Sequence, residues 1–148
     1  MRYKQAAVIA LIFGASLTVF SQTLRFRGSE KWGYDSQYEQ LYGTNSLQEY
    51  RGTVIAIDTV TPMHDMSSGI KLVIESGFDS LDVHLGPAWY VLYQDINLSE
   101  SDNVEVRGRR ANLRDNVFIM AKEIRFDDGI IRLRDDSGIP YWVAVRRR

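Results

Sequence analysis

Leu81-Asp82-Val83-His84-Leu85-Gly86-Pro87-Ala88-Trp89-Tyr90-Val91-Leu92-Tyr93-Gln94 decides how this chain is read. Its first five residues alternate, with Leu81, Val83 and Leu85 on one face and Asp82 and His84 on the other, as a strand requires. Gly86-Pro87 ends that ladder. Proline suits the first position of a helix, where its missing N–H would have no partner. Ala88 to Tyr93 then allow about two helical turns, with Trp89, Leu92, Tyr93 and Ile96 able to share a face. So short a helix is not stable alone in water, so burial of Trp89 and Leu92 must hold it.

Working outward, the flanks read as strands. Gly52 to Thr61 is rich in valine, isoleucine and threonine, and Pro62 stops it because proline cannot donate to a ladder. Ile70 to Glu75 follows. After the helix come Val104 to Arg110, Val117 to Phe126 and Ile130 to Arg134. Gly108 breaks the alternation of the first of these, the sign of a bulge or bend. Asn112 to Asn116 and Asp127-Asp128-Gly129 read as hairpin turns. The tail, Ile139 to Val145, is apolar enough to pack. Three strands, one helix and then further strands is the order of an OB-fold. The expected fold is therefore mainly β: an OB-fold-like barrel of five to six strands with one short helix between strands 3 and 4. In such barrels the strand 2–3 face, with the loops after strands 1 and 4, takes the ligand.

The chain has 148 residues, 25% charged and 45% hydrophobic, which suits one domain with a substantial core. The absence of cysteine excludes disulfides, thiolate metal sites and haem attachment through Cys-x-x-Cys-His. Arg2 and Lys4 precede an uncharged, mostly apolar run from Ala6 to Phe20. That run fits a secretory signal and is short for a bilayer span, so residues 1–21 are expected to be a signal peptide or an N-terminal membrane anchor. The expected location is the periplasm. Residues 22–50 read as an extended arm or linker, with Tyr34, Tyr38, Leu41 and Tyr42 at helical spacing, and residues 51–148 as the barrel domain. Residues 22–104 carry 5 basic and 12 acidic side chains, and residues 105–148 carry 11 and 7, so a local basic face can form on a chain of net charge −1.

Four blocks carry a resemblance: Tyr38-Glu39-Gln40-Leu41-Tyr42, Gly52-Thr53-Val54, Val83 to Tyr90, and Leu133 to Trp142. They are similar to landmarks of small exported bacterial OB-fold-like proteins, a group that the magnetosome-associated MamS and MamX proteins resemble. The resemblance covers about residues 34–146. It implies an envelope or magnetosome association. It brings no electron-transfer role, because the haem motif of MamX-type proteins is absent here.

Three sets of residues are candidates for a site. Arg107, Arg109, Arg125, Arg132 and Arg134 fall on outward positions of three neighbouring strands and could form a basic face for an anionic ligand. The nearby acids Glu105, Glu123, Asp127, Asp135 and Asp136 favour cross-strand ion pairs instead. A lone histidine placed like His84 mostly makes a structural hydrogen bond; a metal ligand is a lesser alternative, and His84 and Tyr90 could also touch a ligand. As an alternative, Met63, His64 and Met66 offer the thioether and imidazole donors that suit copper(I). No nucleophile elbow, zinc-protease or phosphate-loop pattern occurs, so no enzyme activity and no cofactor are expected. The expected partner is another envelope protein or an anionic ligand. Export argues against nucleic acid, and a membrane would be met only through an uncleaved N-terminal segment.

Overall fold

The computed structural model describes residues 31–95 and 97–146, with no side-chain detail after Val143. The expected signal or anchor segment and Ile96 lie outside the described residues. Six strands form one sheet: β1 (Gln48–Val60), β2 (Gly69–Ser76), β3 (Asp79–Pro87), β4 (Asn103–Leu113), β5 (Asn116–Phe126) and β6 (Gly129–Arg132). Among the described residues, three short helices accompany them: α1 (Gln37–Gln40), α2 (Ala88–Val91) and α3 (Tyr141–Arg146). The hydrogen-bonded order is β3-β2-β1-β4-β5-β6, and β3 also pairs with β5. Five strands therefore form a ring, β1-β2-β3-β5-β4. Its closure is a short parallel seam of two register pairs, Val83 with Ile119 and His84 with Met120.

Alternation explains which faces are buried. Leu72 and Ile74 of β2, Val83 and Leu85 of β3, Val104 and Val106 of β4, and Ile124 of β5 are all buried. Gly108 sits at the expected irregularity. Register shifts there, Arg107 facing Glu123 and Gly108 facing Ala121, which leaves Lys122 of β5 as the extra residue. The β4–β5 hairpin turns on Arg114 and Asp115, both at positive φ. That is the conformation of a two-residue turn whose twist matches its strands.

The helix after β3 differs from expectation. It has four residues rather than about two turns, and Pro87 is its N-cap rather than its first residue. Val91 is the side chain it buries, whereas Leu92 is 71% and Tyr93 87% exposed. Ala88, Trp89 and Tyr90 pack against the core half-buried, but Leu92 lies past the single turn and points away, so the anticipated Trp89–Leu92 face does not form. Val91→Ala should therefore cost about 2 kcal/mol, the loss of two buried methyls. Leu92→Ala should stay within about 0.5 kcal/mol of wild type. Urea titration of both variants checks the assignment.

The described part of the arm is more than an extended linker. Ser36 caps α1 through its side chain, and Trp32, Tyr38 and Tyr42 are buried in the core, while Tyr34 of the same helical spacing is exposed. Trp32 and Tyr42 meet the segment that follows β6, while Tyr38 stacks over His84 and Phe118. Trp142 donates to the Trp32 carbonyl at 2.7 Å, and the two indoles meet edge to face. Gly69 and Gly86 make room for them. A Cβ on Gly69 would lie 2.6 Å from the Trp32 ring, and one on Gly86 would lie 2.8 Å from Trp142.

Candidate functional site

The largest change from expectation concerns Arg134. The alternation of β6 places it outward beside Arg132, yet it is 2% exposed. The ladder ends at Arg132, and the backbone N–H groups of Leu133 and Arg134 both donate to the Lys122 carbonyl. The guanidinium then turns under the arm. It donates to both carboxylate oxygens of Glu39, at 2.7 and 3.2 Å, and to the Ala121 carbonyl. Its plane also stacks over Tyr42 and Trp142. Burial pushes the Glu39 carboxyl above its usual range, and the Arg134 guanidinium pulls it back. Arg134 is thus a buried structural clamp between the arm and the C-terminal segment, and it also borders the hollow that Arg107, Arg125 and Arg132 line. Glu39, which completes the clamp, carries no site signal in the sequence beyond its place in the Tyr38 to Tyr42 block.

The remaining arginines separate. Arg107, Arg125 and Arg132 line one hollow of about 310 Å³ with Arg134, Lys122, Glu123, Asp135, Asp136 and Tyr141. Register makes it a ladder of alternating charge, since Glu49 faces Arg107, Arg107 faces Glu123, and Glu123 faces Arg132. Arg107 holds Glu123 at 2.9 Å and Lys122 holds Asp136 at 2.5 Å. The Lys122 ammonium keeps the exposed Asp136 carboxyl below its usual range. Arg109 belongs elsewhere. It pairs in register with Met120, donates to the Gly43 carbonyl and lies 4.4 Å over the Tyr42 ring, under the arm.

Met63, His64 and Met66 are not presented together. Met66 is buried in the core, Met63 packs against it half-buried, and the His64 side chain is 93% exposed beside Asp65. Tyr90 is half-buried on α2, its ring 5.6 Å from Trp142. Burial raises its phenol above the usual range, and Tyr141 adds to this.

His84 is the candidate that lands in a cleft. The cleft holds about 510 Å³ and runs from the β1–β2 loop (Thr61, Pro62) across Lys71 of β2 and Asp82 and His84 of β3 to the β4–β5 hairpin (Leu113 to Phe118). His84 forms part of its wall. The imidazole stacks on Phe118 with centroids 3.9 Å apart, and its Nδ1 lies 3.0 Å from the Tyr38 hydroxyl. Burial pushes the Tyr38 phenol up, so its hydroxyl stays protonated where it hydrogen-bonds the imidazole. Above this floor Lys71 and Asp82 form an ion pair at 3.2 Å.

Burial lowers the His84 pKa to about 4; Asp82 opposes that shift, while Lys71 and Arg134 add to it. The unfolded chain therefore takes up a proton below about pH 6.5 that the folded chain refuses until about pH 4. Stability from this group is complete above pH 7 and should fall by about 3 kcal/mol as pH drops to 4. Urea unfolding of wild type and His84→Gln at pH 7 and pH 4.5 checks this: the slope should be shallower in the variant.

The fold and cleft define a small β-ring protein with a surface cleft, held by an arm. The model of the MamS/MamX magnetosome protein family matches residues 46–131, and the chain belongs to that family. No curated protein matched the chain. Among the described residues, no helix is long and apolar enough to cross a membrane.

Proposed function

We propose that this chain is a non-enzymatic binding module of OB-fold type, acting outside the cytoplasm in an envelope or magnetosome setting. One observation carries the reading. The ring order β1-β2-β3-β5-β4 is that of an OB barrel, and the 510 Å³ cleft lies where such barrels take ligands, between the loop after β1 and the hairpin after β4. His84 and Phe118 give the cleft a rigid floor, and Arg114, Asp115 and Asn116 are exposed at its rim. The favoured partner is another envelope protein. Retention from solubilised cell envelope by the full chain, compared with an Arg114→Ala/Asn116→Ala variant, tests this. A partner held by wild type should be lost at least fivefold in the variant. Equal retention would move the site away from the cleft.

The arginine hollow supports a second reading, an anionic partner held by Arg107, Arg125, Arg132 and Lys122. Charge-driven binding of a heparin fragment there should weaken steadily from 50 to about 300 mM salt, because exposed charges are screened over a Debye length of about 10 Å or less. Binding that ignores salt would rule this out.

A further inference from the structure

The seam that closes the ring is unusually brief, and it opens toward the cleft. Pairing between β3 and β5 covers only Val83 with Ile119 and His84 with Met120. Below those pairs, residues 79–82 of β3 are hydrogen-bonded to β2 on one side, and residues 116–118 of β5 to β4 on one side. Each therefore keeps one strand edge without a ladder partner. Asp82 and Asn116 to Phe118 line the same cleft, so the two open edges face it from opposite flanks. A strand edge left open is a template for another chain.

The side chains around it narrow the choice of occupant. Lys71 and Arg114 are matched by Asp82 and Asp115, and the first pair is already closed at 3.2 Å. A cleft with balanced charge has little to offer a polyanion, in contrast to the arginine hollow. Val60, Pro62, Leu113 and the 50% exposed Val117 supply apolar contact beside the edges. Backbone donors and acceptors with apolar flanks and no net charge suit a polypeptide taken up as an added strand.

We propose that the cleft binds an extended, weakly charged peptide segment of a partner protein, which pairs through its backbone with the open β3 and β5 edges beside the hairpin. About four residues at roughly 3.3 Å each would span these edges. The proposal rests on the cleft being the binding site and adds the chemistry of its occupant.

The test uses the full chain and an array of ten-residue peptides of zero net charge. The tightest binder is remade with N-methyl groups on alternate amides, in both phases. In a strand successive N–H groups face opposite neighbours, here β3 and β5, so each phase should weaken binding at least tenfold, while N-methyl groups outside the paired four residues should have little effect. Amide shifts should centre on residues 79–82 and 116–118, and Val117→Lys, an exposed change that leaves the fold intact, should weaken binding at least fivefold. A phase within the paired residues that leaves binding unchanged overturns pairing with both edges. Cleft resonances that move with a heparin fragment or an oligosaccharide but with no peptide overturn the peptide and keep the cleft. If none of these probes moves cleft resonances, the cleft reading falls as well.

Discussion

Arg134→Ala should cost about 3–5 kcal/mol. Removing the guanidinium strands the Glu39 carboxylate in a site where both partners are essentially without solvent. It also frees the Ala121 carbonyl and uncovers the faces of Tyr42 and Trp142. Glu39→Ala should be similarly damaging, since it leaves an unpaired buried cation. Replacing both together, Glu39→Leu with Arg134→Met, should recover much of the loss. A buried ion pair gains little over apolar packing of equal volume, because desolvating two charges offsets their attraction. Urea unfolding of the two single variants and the double variant supplies the cycle. A loss below about 1 kcal/mol in either single variant would show that the clamp is solvated in solution.

Trp142→Ala should cost about 3–5 kcal/mol by opening a cavity against Trp32, Tyr90 and Gly86. Gly86→Ala should cost about 1–3 kcal/mol for the opposite reason, because its Cβ would stand 2.8 Å from the same ring. The two should not add. With the indole removed, the methyl at position 86 enters space that Trp142 filled, and the double variant should be more stable than the sum of the single losses implies. Strict additivity would mean that Gly86 serves the backbone alone.

The ring was legible in the sequence because it rests on a period of two. Val104 and Val106, the bulge at Gly108 and the turns between strands all stand in the chain as local patterns. Helix α2 was misjudged because Gly86-Pro87 and the aromatics after it suit a longer helix, and nothing local says that the chain turns away after Val91. Arg134 was misjudged because alternation holds only while the ladder lasts, and the ladder stops two residues earlier. Its partner Glu39 lies in a polar stretch with no periodic core signal. The cleft was legible in outline through the strand order. The open edges were not, because where a parallel seam ends is set by the packing of the whole ring.

The clamp has a consequence for the order of folding. Its bonds join residues far apart in the chain: Glu39 and Arg134 are separated by 95 positions, and Trp32 and Trp142 by 110. Closing loops of that length is entropically costly until the intervening strands have already drawn the ends together. The ring hairpins should therefore form first and the two terminal segments lock last, over the seam between β3 and β5. Opening should run the other way, with amides of Ser36 to Tyr42 and of Leu133 to Val143 exchanging before those of β1, β2 and β4. The least persistent part of the molecule then lies beside the cleft, where Tyr38 holds His84 in place.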